Sequence, residues 1–247
     1  HTYSLVHSAL VDIDYQTQTM RPELATEWSY NADTMTYTFK LREGVTFHNG
    51  EKFTADDVVY TYERALSAEG VSGTVKSAYA AFESVKANGD YEVVITLKEG
   101  NIDLLYTLSN EYMGILNREA CTADATNGGS IGTGAWINKE FVSGDHTTLE
   151  VNEKYFAEIP VTKVLEFRYI SEGSARLIAL ETGEIDIASE LQDSDIKRLL
   201  AGEVEGVESL PADRAALSGL MRNPAAQESL RRLSAALNRA QSADTLT

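Results

Sequence analysis

The chain has 247 residues, 43% of them hydrophobic, which is enough to bury a large core in one domain or two. Its 38 acidic and 21 basic residues give a formal net charge of −17, which argues against nucleic acid or an anionic membrane surface as a partner. The sequence holds no apolar run long enough to span a bilayer. Cys121 is its single cysteine, so an internal disulfide and a cysteine-rich zinc site are both excluded.

The chain opens with a segment, 2–14, whose apolar residues recur at helix-like spacing, and we expect a short helix followed by an extended piece. Apolar and polar residues then alternate from Tyr37 to Leu41, which is the period of a half-buried strand. Residues 45–47 predict a second, short strand. The dipeptide Asn49-Gly50 follows it and favours a tight hairpin turn in which both residues have positive φ angles.

The period of the pattern changes at Thr54, where a helix is predicted to begin. Thr54 and Asp57 have the spacing of a capping box, in which each side chain satisfies a free amide of the first helical turn. Apolar residues then recur at helical spacing from Ala55 to Leu66, so this segment is predicted to be an amphipathic helix. The small and polar residues of 67–74 predict a loop after it.

Four further helices and three strands are predicted downstream from the same two periods. The helices are expected over 76–85, 102–108, 174–182 and 193–200. The strands are expected over 91–97, 164–170 and 184–188. Gly183 and Gly202 are predicted to end the last two helices, because glycine readily adopts the left-handed conformation that helix C-termini favour.

The order of residues over 36–59 is more specific than its periodicity. The pattern Tyr-Thr-Phe-x-Leu-Arg-x-Gly-Val-x-Phe-His-x-Gly-x-x-Phe-Thr-Ala-x-Asp-Val-Val resembles the most recognisable segment of the family 5 extracellular solute-binding proteins. That family serves oligopeptide, dipeptide and nickel ABC importers. Five other segments resemble the same family, and they are 22–28, 132–136, 152–156, 175–186 and, less closely, 230–240.

This resemblance implies an α/β fold of the periplasmic binding protein type II kind. A base lobe is expected from residues 1–27 and again from 158–247, with a mixed α+β subdomain inserted over 28–157. Family members are considerably longer than this chain, which is therefore expected to be an N-terminal half with the second lobe largely absent. Trp28 and Trp136 are expected to anchor the core of the inserted subdomain.

The resemblance also implies where a ligand would bind. Tyr79 lies where several relatives place an aromatic side chain that faces the cleft; its alternative is a half-buried helix residue. The segment 110–113 lies where the family places cleft-lining side chains; its alternative is a loop whose Tyr112 and Met113 pack inward. A polar tip beside an aromatic ring and a flexible thioether suits a small polar ligand. The predicted ligand-binding residues are Tyr79, Asn110, Glu111, Tyr112, Met113 and Tyr3.

The histidines and the glycine-rich turn have plainer interpretations. His48 suggests a metal ligand, since nickel carriers belong to the family, but its hairpin position favours a solvated turn histidine. His7 and His146 lack the spacing that would place two metal ligands on one helical face. The turn Gly132-Thr133-Gly134 lacks the lysine and the strand-to-helix context of a phosphate-binding loop, so we expect it to be structural.

The function implied by the resemblance is a carrier without catalytic activity. It would capture a peptide-like or related small polar solute in a closing cleft and deliver it to the permease subunits of an ABC transporter. A nickel or metal-chelate carrier is the alternative within the family, although such relatives use Trp and Arg near the positions of Tyr79 and Asn110. From other classes, a carboxylate-based hydrolase is supported only by the abundance of acids, and a scaffold without a small ligand remains a third hypothesis.

The remaining expectations concern the setting of the protein. No catalytic residue, metal ligand or cofactor is expected. The protein is expected to be a periplasmic or extracellular monomer, anchored as a lipoprotein in some settings, with no membrane insertion of this chain. The second lobe would carry most of the selectivity, so the 247-residue chain by itself is expected to bind a solute weakly or not at all.

Overall fold

The computed structural model describes residues 2–14, 17–67, 73–101, 103–204 and 207. The helices α1 to α7 are Tyr3–Val6, Ala55–Ser67, Gly73–Tyr79, Leu104–Leu108, Arg118–Ala123, Gly173–Glu181 and Asp193–Leu200. The strands β1 to β9 are Val11–Asp14, Thr19–Pro22, Ala25–Asn31, Thr36–Leu41, Phe82–Ala87, Glu92–Leu97, Trp136–Val142, His146–Val151 and Val164–Arg168. Two 3-10 turns lie at Glu111–Met113 and Gly128–Ser130.

The chain divides into two compact units. The first is formed by His1–Asn138 with Glu150–Ile159, and the second by Lys139–Leu149 with Pro160–Thr247. The base lobe and inserted subdomain expected from the family resemblance, with boundaries near 27 and 158, stay a prediction. The helix expected over 230–240 lies outside the described residues.

A four-stranded antiparallel sheet, in the order β3-β4-β6-β5, forms the centre of the first unit. Its middle strands bury one face because their apolar residues alternate. Phe39 of β4 is 0% exposed and lies between Trp28 of β3 and Val93 of β6. The half-buried strands predicted over 37–41 and 91–97 are therefore confirmed.

Helix α2 supplies the other side of this core. Its residues Ala55, Val58 and Tyr62 are fully buried in the same cluster as the β4 and β6 side chains, which confirms the predicted amphipathic helix. Leu66, expected on the same apolar face, is instead 44% exposed near the C-terminal end of the helix. Of the two tryptophans, Trp136 is fully buried and Trp28 is half-buried against this core.

The predicted capping box forms in one direction only. Oδ2 of Asp57 accepts hydrogen bonds from the backbone amide of Thr54 at 2.9 Å and from the Thr54 hydroxyl at 3.3 Å. The hydroxyl therefore donates to the carboxylate instead of accepting from an amide of the first turn. Burial raises the pKa of the Asp57 carboxyl, and hydrogen bonds from the backbone amides of Arg118 and Thr54 act in the opposite direction.

Two predicted elements are wrong because tertiary pairing overrides local spacing. The helix predicted over 76–85 ends at Tyr79, and the chain then enters strand β5, where Val85 pairs with Ile95. The strand predicted over 184–188 is absent; the amides of Glu184 and Ile185 donate to Ala179 O and close the end of α6. The C-terminal glycines are confirmed, with φ of +71° at Gly183 and +70° at Gly202.

The predicted hairpin around Gly50 forms with a different geometry. Gly50 has φ +89° and donates to Phe47 O at 2.9 Å, whereas the φ of Asn49 is not positive. The side chain of Asn49 instead accepts from the amide of Glu51 at 3.1 Å. The short strand predicted over 45–47 is reduced to one bridge, between Thr46 and Lys52.

The second unit is held by backbone contacts around α6. The guanidinium of Arg176 donates to the carbonyl oxygens of Ile170 at 2.6 Å and Ser171 at 3.2 Å, and also to that of Glu190. One arginine thereby joins the segments on both sides of its helix. Among the residues that the structure describes, no helix has both the length and the apolar character needed to cross a membrane.

Replacement of Phe39 by alanine tests the centre of the sheet. We expect F39A to lower the free energy of unfolding by about 3–5 kcal/mol, because it removes a fully buried ring and leaves a cavity. The matched control is K40A, whose exposed side chain forms an ion pair with exposed Glu27, and its effect should stay below about 0.5 kcal/mol. Equal effects in urea unfolding would contradict the register of β4.

Candidate ligand-binding site

The glycine-rich turn at Gly132–Gly134 packs directly on the backbone of α1. A Cβ atom at Gly132 would lie 2.0 Å from the Val6 carbonyl oxygen, and one at Gly134 would lie 2.4 Å from that of Leu5. Neither glycine has a positive φ, so close approach and not turn conformation excludes a side chain here. The amide of Gly134 donates to Val6 O at 2.8 Å. The structural interpretation of this turn is confirmed.

His48 bonds to this turn, and the expectation of a solvated turn histidine is wrong. Its backbone amide donates to Gly132 O at 2.9 Å. Its Nδ1 accepts from the Gly132 amide at 3.4 Å, which leaves the proton on Nε2 to donate to Gly134 O at 3.0 Å. Burial lowers the pKa of His48, so the neutral ring that makes both bonds is favoured.

His7 lies at the C-terminal end of α1 and is 4% exposed. Burial lowers its pKa to about 4, and the nearby His48 acts in the same direction. Its ring stacks on that of Tyr3, with centroids 4.3 Å apart and planes 25° apart. Nδ1 of His7 has no hydrogen-bond partner, and hydrogen bonds to the backbone of Ile115 and Gly129 only partly oppose the lowering of its pKa by burial.

Tyr3 connects α1 to the predicted ligand segment 110–113. Its hydroxyl donates to Gly114 O at 3.3 Å, and burial raises its pKa to about 12. A Cβ atom at Gly114 would lie 2.4 Å from the Cβ of His7 and 3.1 Å from the Tyr3 ring. The N-terminal helix and the segment around Gly114 are therefore in close contact, although 111 residues separate Tyr3 from Gly114.

The four residues of the segment 110–113 have different positions. Asn110 caps the 3-10 turn, with its Oδ1 accepting from the amide of Tyr112 at 3.2 Å. Met113 is 3% exposed and belongs to the core, whereas Tyr112 is 48% exposed. Glu111 is half-buried. The alternative interpretation, a loop whose Tyr112 and Met113 pack inward, therefore holds for Met113 and not for Tyr112.

Tyr79 lies in the core of the first unit. It is 1% exposed, and its ring contacts those of Tyr62 and Phe82 at centroid distances of 4.8 and 5.3 Å. Burial raises its pKa, and the neighbouring Tyr3 adds to that effect. Tyr79 is more enclosed than the half-buried helix residue considered as its alternative. Its role as a cleft residue stays a prediction.

Several residues that fix this region were not identified from the sequence. Ser8 accepts at its carbonyl oxygen from the amide of Ile115 at 2.9 Å. Thr61 and Asp57, both on α2, accept from the amides of Leu116 and Arg118 at 3.0 Å each. The only sequence signal was the position of Thr61 and Asp57 one helical turn apart. Within the described ranges, no group of three or more His, Cys, Asp and Glu side chains could hold a metal ion.

The sequence matches one family along most of its length. The family model for bacterial extracellular solute-binding proteins, family 5 Middle, matches residues 19–246. The chain belongs to this family. The resemblance found in the sequence is thereby confirmed. Two of the segments that carried it, 36–59 and the Gly132–Gly134 turn, meet at His48.

Relatives of known name bind different solutes. The oligopeptide-binding protein AppA of Bacillus subtilis is 32% identical over 160 residues, which cover 62% of this chain and 29% of that protein. The nickel-binding periplasmic protein of Escherichia coli is 32% identical over 189 residues, which cover 74% of this chain and 36% of that protein. The chain thus spans about a third of the length of these relatives.

A solved structure confirms the expected α/β fold of the periplasmic binding protein kind. The periplasmic binding protein DppA from Helicobacter pylori, in complex with the peptide STSA, is 25% identical and superposes with a TM-score of 0.72. The superposition covers 80% of this chain and 43% of that one.

Replacement of Gly132 by alanine tests the packing of the turn on α1. We expect G132A to destabilise this family 5 protein by at least about 2 kcal/mol, because its methyl group would overlap the Val6 carbonyl oxygen. The control is G129A, at a glycine with open space around its Cβ position, and should change stability by less than about 0.5 kcal/mol. A tolerated G132A in thermal unfolding would show that the turn does not contact α1.

The buried His7 predicts a loss of stability in acid. Its pKa is near 6.5 in the unfolded chain and about 4 in the folded one, so the unfolded state binds the proton more readily. This contribution is full above pH 6.5 and falls by about 3 kcal/mol as the pH drops to 4. H7F keeps a ring beside Tyr3 and should flatten the pH dependence in urea unfolding. Removal of half-buried His146, whose pKa is raised by Asp145, should not flatten it.

Proposed function

We propose that the protein is the substrate-binding component of an ABC importer and captures a peptide-like solute for delivery to the membrane permease. Membership of family 5, established over residues 19–246, is the observation that carries the proposal. The Bacillus subtilis relative is named for oligopeptide binding, and the Helicobacter pylori structure contains a bound peptide. Both support a peptide as the solute.

The proposed site is built on the segment 110–113 and on Tyr3. Tyr112 offers an exposed ring that can cover apolar parts of a solute, and the carboxylate of Glu111 beside it can accept hydrogen bonds from a peptide ammonium or amide. Asn110 holds the turn that presents them. The buried side chains of Met113 and Tyr79 are proposed to form the apolar floor behind this surface.

A nickel or metal-chelate solute is the second candidate. It is favoured by the Escherichia coli relative, whose name is nickel-binding and which matches 74% of this chain. A metal chelate needs groups that contact both the ion and its organic ligands, and a cleft with aromatic and carboxylate side chains could provide them. The two solutes are therefore compared in the same experiment.

The setting follows from the same family membership. We infer that the protein is a carrier without catalytic activity or cofactor. It would lie outside the cytoplasm as an extracellular or periplasmic protein. Where no outer membrane confines it, a lipid anchor would hold it at the membrane. It would act as a monomer, with one cleft that closes on one solute. A turnover assay with peptides and glycosides would contradict the non-catalytic role if it gave products.

Thermal unfolding of the protein expressed from its full gene, with and without candidate solutes, tests the proposed function. A mixture of di-, tri- and longer peptides is expected to raise the melting temperature, because a ligand that binds only the folded state stabilises it by mass action. Nickel ions alone and nickel with histidine form the second arm. Stabilisation by nickel and not by peptides would replace the peptide proposal with the metal one.

Replacement of Tyr112 by alanine tests the site itself. We expect Y112A to weaken peptide binding about tenfold, because it removes the most exposed aromatic surface of the segment. The matched control is Y106A, since Tyr106 of α4 is equally exposed, at 50%, and does not belong to the proposed site. Equal affinities of the two variants in calorimetry would place the ligand elsewhere.

A further inference from the structure

Helix α2 holds the chain that follows the proposed ligand segment. Oγ1 of Thr61 accepts a hydrogen bond from the amide of Leu116 at 3.0 Å and donates one to Asp57 O at 2.7 Å. One turn earlier on α2, Oδ1 of Asp57 accepts from the amide of Arg118 at 3.0 Å. Two side chains of one helix therefore bind alternate backbone amides of one segment.

Both side chains are enclosed by protein. Thr61 is 6% exposed and Asp57 is 5% exposed, and Leu116, whose amide Thr61 binds, is 7% exposed. A buried amide that loses its acceptor has no water to replace it, so these bonds have a high cost of removal. Thr61 has no role in the apolar stripe of α2, which leaves its hydroxyl contact with Leu116 as its distinct contribution.

The same segment is held from its other side by the N-terminal part of the chain. The amide of Ile115 donates to Ser8 O at 2.9 Å, and the carbonyl oxygen of Gly114 accepts from Tyr3. Residues 114–118 thus have two backbone groups bound to the N-terminal part of the chain and two bound to α2. A shift of this segment would move the 3-10 turn Glu111–Met113, because Gly114 follows it directly.

We infer that Thr61 and Asp57 are positioning residues for the ligand segment 110–113, and that they act through the amides of Leu116 and Arg118. This inference rests on the proposed function of that segment. A single 3-10 turn makes few bonds of its own, so its orientation depends on the chain that anchors it. Binding side chains must be held within a fraction of an ångström, which requires support from rigid elements.

The first test removes the Thr61 hydroxyl in the protein expressed from its full gene. T61V keeps the shape of the side chain and loses the acceptor, whereas T61S keeps the acceptor. We expect T61V to speed hydrogen exchange of the amides over 112–116 at least about tenfold more than that of the β6 amides. T61S should exchange like the wild type.

The second test removes the donor at residue 118. Arg118 is the first residue of α5, a position where proline is well tolerated, and Asn117 before it has an extended conformation that proline also accepts. R118P therefore removes the amide that binds Asp57 and keeps the helix. R118A keeps the amide and is the matched control for loss of the exposed guanidinium.

Peptide affinity separates positioning from general stability. T61V and R118P should each bind peptide about tenfold more weakly, while T61S and R118A stay within about twofold of the wild type. V93A, a core variant on β6 that lowers the melting temperature, should also keep its affinity within about twofold.

The two claims can fail separately. Uniform exchange in T61V and R118P, or affinities that follow the melting temperature across all five variants, would overturn the positioning role. A wild-type protein that binds neither peptides nor nickel would contradict the proposed function alone, because the exchange experiment would still decide whether α2 holds the 112–116 backbone.

Discussion

The organisation of the candidate site depends on the contact between two backbones, that of α1 and that of the Gly132–Gly134 turn. The approach is close enough that a single methyl group at either glycine would overlap a carbonyl oxygen. It fixes the backbone of α1, whose first residue, Tyr3, stacks on His7 at the C-terminal end. Tyr3 then bonds to Gly114, so the position of the ligand segment follows from a turn far from it in sequence.

His48 joins two separate segments of the chain that resemble the family, the hairpin around Gly50 and the Gly132–Gly134 turn. The hairpin motif supplies the imidazole, and the glycine-rich motif supplies the amide and the carbonyl oxygen that the ring binds at its two nitrogens. A neutral imidazole can accept and donate at once, which a lysine or a serine at the same place would not reproduce in the same geometry. The side chain of His48 therefore has a structural role. Both of its ring nitrogens form hydrogen bonds, so neither is free to bind a metal ion.

The sequence predicted those elements whose burial is decided by near neighbours. The alternating residues around Phe39 and the helical repeat of apolar residues from Ala55 each produce one buried face. Their periods are therefore enough to predict a strand and a helix. Strand β5 could not be predicted in that way, because Val85 is extended only through its pairing with Ile95 of β6. The environment of His48 was equally hidden, since its partners lie more than 80 residues away in a turn with no distinguishing period. The segment 110–113 was predicted to bind ligand from its resemblance to the family and not from the periodicity of its residues.

The structure divides that segment into a presenting part and a supporting part. Asn110 and Met113 are used for the turn cap and the core, while Tyr112 is exposed to solvent. A surface of this kind binds a solute with few exposed side chains and relies on the chain beneath them for its precision. The hydrogen bonds that Thr61 and Asp57 accept from the amides of Leu116 and Arg118 are proposed to provide that support where the segment joins α5. If Thr61 positions the proposed site, its unexposed hydroxyl contributes to affinity as the exposed ring of Tyr112 does.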